Sequence, residues 1–234
     1  MSTPPSLLDQ TKPFVRMAIV GCGNIARSHL NAIARNYRTS SATHSQIGVT
    51  CLCDPSETQR TAFQALVQSA TGLQPLCFDS LDAALAQACD AFDTVNICVP
   101  NDLHEKLALQ AFNAGKHVLL EKPIALNVAS AERILAAAAE AKTVFMVAEN
   151  AQYWKEILVV HRCLQAETYG KVVSVRAKCW ETIVNQNEWQ GDYAPGLWRS
   201  DPSRAGGGFV FDSASHWFVH ANEMGCCGGR GREE

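Results

Sequence analysis

From residue 14 to residue 147 the chain alternates short apolar runs with longer stretches in which apolar residues recur every three or four positions. Runs that short read as buried strands, and the periodic stretches between them read as amphipathic helices. Residues 14–20 predict a first strand and 24–36 a first helix; after a Ser/Thr-rich stretch at 39–45, residues 47–53 predict a second strand ending at Asp54-Pro55. A helix over 55–69, a strand at 76–78, a helix over 81–88 and a strand over 92–99 follow. Residues 104–114 then predict a helix closed by Gly115, 116–120 a strand stopped by Glu121-Lys122-Pro123, 130–141 a helix and 144–147 a strand. Strands alternating with helices in this way predict an open parallel sheet covered on both faces.

Beyond Asn150 the pattern changes. Residues 154–164 predict a helix, Gly170 a break, and 172–180 alternate like a strand with one solvent-facing side. A glycine triplet at 206–208 precedes a predicted helix over 213–224, and the final ten residues show no periodicity. A single half-wet strand cannot stand without neighbours. The expected fold class is therefore α/β: a dinucleotide-type domain over 14–150, then an incomplete α/β substrate domain over 151–225 with an open, mainly antiparallel sheet, and a disordered tail over 226–234.

Composition narrows the partners. A formal net charge of -3 over 234 residues, with no concentrated Lys/Arg face, argues against nucleic acid. No continuous apolar run has bilayer length, and residues 1–12 read as a polar, proline-containing leader instead of a signal peptide. The expectation is a cytoplasmic protein. Ten cysteines in a chain of this size read as reduced thiols, with Cys22, Cys51, Cys53, Cys77, Cys89 and Cys98 expected to be buried and Cys226-Cys227 exposed. Cys51 and Cys53 are expected on opposite faces of their strand, and lack the spacing of a C-x-x-C pair.

Candidate chemistry starts at Gly21-Cys22-Gly23-Asn24-Ile25-Ala26, a G-x-G-x-x-A turn between the first strand and the first helix. Gly21 permits the turn, Gly23 lets backbone approach a pyrophosphate, and Ala26 keeps the helix close to its strand, while free helix N–H groups face the phosphates. Asp54, at the tip of the second strand, is placed to accept from an adenosine ribose, which favours NAD without excluding NADP; equally, it is the kind of residue that opens a turn. Asp212 and His216 stand one helical turn apart, so a neutral imidazole can exchange a proton with an alcohol while a carboxylate fixes its tautomer or binds a hydroxyl. With His220 the same face offers a divalent metal one oxygen and two nitrogens, a competing reading. Trp198 and Arg199, in the loop before the glycine triplet, suit the C–H faces and hydroxyls of a polyol, or else an oligomer contact.

These pieces, with Val95 to His104, Ala114 to Pro123 and Gly206 to His216, resemble in order and spacing the Gfo/Idh/MocA family of sugar-type oxidoreductases over residues 14 to 220. The resemblance implies a Rossmann domain and NAD or NADP as cofactor, with Gly21, Cys22, Gly23, Asn24, Ile25, Asp54, Pro100, Asn101, His104, Glu121 and Lys122 around it. It implies Lys122, Asp212 and His216 as catalytic residues that also meet the substrate beside Trp198 and Arg199, with no metal. The implied reaction is hydride transfer between nicotinamide and a sugar, polyol or related cyclic alcohol. Relatives often associate through the outer face of the second-domain sheet, which makes a homo-oligomer an expected partner state. Val219, where relatives often carry an acidic residue, and the early end of the pattern leave two alternatives open: a dinucleotide-binding regulatory or partner protein without catalysis, and an inactive truncated family member.

Overall fold

From Met17 onward every residue of the first strand, β1 (Phe14–Val20), is buried, because both of its faces are covered. Ala18 and Val20 point into one core with Val95, Ile97, Val118 and Leu120, whereas Met17 and Ile19 point into a second with Val49 and Leu52, the alternation a strand imposes. The structure is a computed structural model that describes residues 14–39, 46–165, 170, 173–174, 197–208 and 211–216.

Five further strands join β1: β2 (Gln46–Cys53), β3 (Leu76–Phe78), β4 (Thr94–Ile97), β5 (His117–Leu120) and β6 (Phe145–Val147). Their order is β3-β2-β1-β4-β5-β6, and all five pairings are parallel. Helices α1 (Asn24–Thr39) and α2 (Glu57–Thr71) cover one face with Ala26, Leu30, Ile33, Phe63 and Val67. On the other face lie α3 (Leu81–Ala88), α4 (His104–Asn113) and α5 (Val128–Ala141), which contribute Leu81, Ala84, Ala108, Ala111, Phe112, Ile134 and Ala138. Phe63 is fully buried, and a side chain of that size stabilises the fold by about 1.5–3 kcal/mol. Right-handed crossovers put the helices before and after the order reversal on opposite faces, so a crevice opens between the C-terminal ends of β1 and β4, where such sheets take their ligands.

Local chemistry sets the boundaries. Ser56, Ser80 and Asn127 cap α2, α3 and α5 by accepting from the N–H groups of Gln59, Ala83 and Ser130. The β1–β2 register slips between Met17 and Ala18; Thr50 is the extra residue, and its hydroxyl donates to the Ala91 carbonyl at 2.7 Å.

The chain divides into two compact units, Met1–Val147 and Ala148–Glu234. Described elements of the second are a 3-10 turn at Ala151–Tyr153, α6 (Lys155–Gln165), a 3-10 turn at Trp198–Ser200, α7 (Pro202–Ala205) and a helical segment over 211–216.

Three expectations are corrected. The mainly antiparallel sheet expected of the second domain is not found among the described residues: every pairing among them is parallel, and those after Val147 contribute no strand, Val173 and Ser174 included, while the rest of the expected 172–180 strand lies outside them. Alternation along one segment reports a face, not a partner or a direction. Cys51 and Cys53 share one face and one core, because residues two apart on a strand point the same way. Cys77 is exposed on the edge strand β3 and Cys89 only half-buried, while Cys22, Cys51, Cys53 and Cys98 are buried free thiols; Cys226-Cys227, like the tail expected over 226–234, lie outside the described residues. No described helix is long and apolar enough to cross a membrane.

Candidate active site

The turn after β1 is built around two glycines with different duties. Gly21 adopts φ +89°, and a Cβ placed on it meets the Cys98 carbonyl oxygen at 2.2 Å, so both conformation and space exclude a side chain. Two backbone bonds hold this approach: Gly21 N–H donates to Cys53 C=O and Cys98 N–H to Val20 C=O, each at 2.8 Å. Gly23 is the opposite case. A Cβ there meets nothing within 4 Å, on the side where α1 presents its unpaired first-turn N–H groups and where Asn24 and Ile25 are exposed. Cys22 and Ala26 turn inward into the core. Burial, followed by the nearby Asp54 charge, pushes the Cys22 thiol up to about 12, so it stays protonated.

Asp54 joins this turn to the tip of β2. Its Oδ2 accepts from Cys22 N–H and its Oδ1 from Ser56 N–H, both at 2.9 Å, and its carbonyl accepts from the Arg60 guanidinium. The residue thus opens the next turn, and its carboxylate also fixes the glycine loop.

Beyond β4, Pro100 begins a 3-10 turn in which Asn101 is buried. His104 is fully enclosed; its Nδ1 lies 2.9 Å from the Pro123 carbonyl and its Nε2 3.1 Å from that of Val99. Burial lowers its pKa, so the neutral ring donates to one carbonyl at a time. His104 therefore braces the loops after β4 and β5 and does not present an edge to a ligand.

Lys122 follows β5 with its side chain half-buried, and the Lys122–Pro123 peptide is cis. Its N–H donates to Glu121 Oε2 at 3.1 Å. The other oxygen of Glu121, a residue 7% exposed, accepts from His29 Nε2–H at 2.8 Å, while Asn96 Nδ2–H donates to His29 Nδ1 at 2.9 Å and the Cys98 thiol to Asn96 Oδ1 at 3.5 Å. This buried polar chain runs from β4 through α1 to the backbone of Lys122. Sequence reasoning missed His29 and Asn96. The available signal was Asn96 itself, an amide within an apolar, wholly buried strand, where an unpaired polar group costs too much to keep.

The second unit holds the other predicted residues. Arg199 stacks on Trp198, 4.4 Å from the ring centroid, and its Nε lies 3.7 Å from Asp212 Oδ2, so three of the expected substrate residues gather. His216 pairs with a carboxylate other than Asp212. Its Nδ1 lies 2.6 Å from Oε1 of Glu149, a residue 5% exposed that sequence reasoning also missed. His220, the third member of the competing metal set, lies outside the described residues.

Comparison with known proteins bears on the family and the fold. The profile of the Gfo/Idh/MocA group, described as an oxidoreductase family with an NAD-binding Rossmann fold, matches residues 15–149. The 2,7-anhydro-N-acetylneuraminate hydratase of Escherichia coli is 25% identical over 183 residues, covering 78% of this chain and 42% of the relative. Levoglucosan dehydrogenase of Pseudarthrobacter phenanthrenivorans is 30% identical over 123 residues, covering 52% of this chain and 30% of the relative. This chain thus spans less than half the length of these relatives. In fold it is similar to the WlbA dehydrogenase of Bordetella pertussis, solved with NADH and UDP-GlcNAcA, with a TM-score of 0.71 at 24% identity over 91% of this chain and 57% of the other.

Proposed function

The chain belongs to the Gfo/Idh/MocA oxidoreductase family, and from that premise we propose that it transfers a hydride between a nicotinamide coenzyme and a sugar, polyol or related cyclic alcohol. The observation that carries the proposal is the open approach at Gly23, at the N-terminus of α1 and beside the order reversal of the sheet. Gly21, Cys22, Gly23, Asn24 and Ile25 hold the pyrophosphate, Asp54 faces the adenosine ribose and favours NAD over NADP, and Pro100, Asn101, Glu121 and Lys122 border the nicotinamide. Residues 14–150 serve the coenzyme and 151–225 the substrate.

When bound, nicotinamide supplies the carbon that accepts or gives the hydride. The chain's own residues handle the oxygen and its proton. In the oxidative direction the alcohol carbon loses its hydride while His216 takes the hydroxyl proton, leaving a carbonyl whose oxygen the Lys122 ammonium steadies; reduction reverses each transfer. Asp212, with Arg199 and Trp198, binds neighbouring hydroxyls and the C–H face of the ring. The names of the two relatives above, a 2,7-anhydro-N-acetylneuraminate hydratase and a levoglucosan dehydrogenase, support a sugar-type substrate.

The test is a fluorescence titration with NADH and NADPH, followed by turnover assays with either oxidised coenzyme over a panel of sugars, anhydro sugars and polyols. Saturable NADH binding with turnover on at least one cyclic alcohol is expected. Tight NADH binding with no turnover on the whole panel would replace this reading by a non-catalytic nucleotide-binding protein.

A further inference from the structure

Two carboxylates compete for the role of partner to His216, and they differ in what already occupies them. Asp212, on the same helical segment, is engaged by Arg199. Glu149 comes from a distant part of the sequence, two residues after β6, and 67 positions separate it from His216. It is nearly fully buried and held at two points: Oε1 accepts from the Ala151 backbone N–H at 2.9 Å, and the Glu149 carbonyl accepts from the Gln152 side-chain amide Nε2 at 2.9 Å. Oε1 also stands 2.6 Å from His216 Nδ1, short enough for a charge-assisted bond. The second oxygen, Oε2, is buried without a hydrogen-bond partner among the described residues.

An ionised carboxylate only accepts, so Nδ1 must carry the proton in this contact. The neutral ring then has its lone pair on Nε2, for which no partner is recorded among the described residues, and His216 retains 24% side-chain exposure. We infer that Glu149 is the positioning residue of the proton-transfer histidine: it locks His216 as the Nδ1–H tautomer and makes Nε2 the atom that exchanges the substrate proton. The inference rests on the oxidoreductase reading for its catalytic consequence, but not for the tautomer. It also separates the duties of the two acids, leaving Asp212 to the substrate hydroxyls. The orphaned Oε2 fits a group kept for its charge: such burial is costly, and an imidazolium formed at His216 during oxidation offsets it.

The experiment uses the full chain. In 15N-labelled protein the His216 ring signal, identified among the seven histidines by its loss in His216→Gln, reports the tautomer directly. The wild type is expected to show Nδ1 protonated and Nε2 unprotonated, and Glu149→Gln to lose that preference. Glu149→Gln is also expected to lower kcat roughly 10²- to 10⁴-fold, the scale seen when an orienting acid is replaced by its amide, with KM for coenzyme unchanged. Glu149→Asp is expected to recover part of the loss. An Nε2-protonated wild type overturns the assignment, as does a Glu149→Gln protein that binds NADH normally and keeps wild-type kcat. Absence of turnover in the wild type would sink the oxidoreductase reading alone, and the tautomer spectrum would still decide the pairing.

Discussion

Replacing the two glycines of the first turn by alanine, one at a time, separates folding from coenzyme binding. At Gly21 the new methyl group needs a left-handed backbone, which costs about 1–2 kcal/mol for an L-residue. It also lands 2.2 Å from the Cys98 carbonyl oxygen and 2.8 Å from the carbonyl carbon, both rigid backbone atoms. Relief requires β1 and β4 to separate at the point where the 2.8 Å bond from Cys98 N–H to Val20 C=O ties their ends, a clash of the overpacking kind worth about 1–3 kcal/mol. Together these predict about 2–5 kcal/mol of destabilisation for Gly21→Ala, a large share of the roughly 5–15 kcal/mol typical of a domain. At Gly23 the methyl group meets nothing, so Gly23→Ala is expected to unfold within about 0.5 kcal/mol of wild type. The same methyl group would stand where pyrophosphate is proposed to approach, and NADH affinity should then fall at least about tenfold, or 1.4 kcal/mol. Urea unfolding and NADH fluorescence titration on both variants measure the two effects. A Gly21→Ala protein as stable as wild type would refute the steric reasoning, and a Gly23→Ala protein with undiminished NADH affinity would refute the placement of the phosphates.

Three more outcomes follow from the geometry. Lys122→Ala should reduce kcat roughly 10²- to 10³-fold if the ammonium steadies the reacting oxygen, and unchanged steady-state kinetics would exclude that role. His29→Leu leaves Glu121 Oε1 without its donor in a buried setting, so urea unfolding should show a loss of about 1.5–3 kcal/mol; a loss below about 0.5 kcal/mol would mean the polar chain is not structural. The Arg16 guanidinium, hydrogen-bonded to Asp93, holds that carboxyl below its ordinary value of 3.8, and a depressed native value stabilises the fold above the unfolded value and is lost as pH falls through the native one. Because both side chains are about 40% exposed, wild type should exceed Asp93→Asn by under about 1 kcal/mol near neutral pH. Denaturation at stepped pH should show that margin vanish in acid, and a margin constant from neutral pH to below 3.8 would contradict the linkage.

How much of this was readable in advance depended on how local each cause is. β1, β3 and α3 fall where the hydrophobic pattern places them, since strand and helix periods and serine caps act within a few residues. The G-x-G-x-x-A turn was legible for the same reason. The second-domain sheet was not, because alternation over 172–180 carries no information on pairing. Glu149 and His29 escaped notice because their partners lie 67 and 92 positions away, and no short motif links residues that meet only after the chain has folded. Asp54 was seen as a choice between ribose binding and turn opening, whereas its two oxygens, each with more than one lone pair, already serve the turn and the glycine loop and retain acceptor capacity.

His104 has a consequence for how the coenzyme side responds to strain. One imidazole, wedged between the carbonyls of Val99 and Pro123, rivets the segment bearing Asn101 to the segment bearing Lys122. Asn101 and Lys122, the residues proposed for the nicotinamide wall and the reacting oxygen, therefore travel together, and a substitution that loosens this rivet should misalign both at once, without touching either.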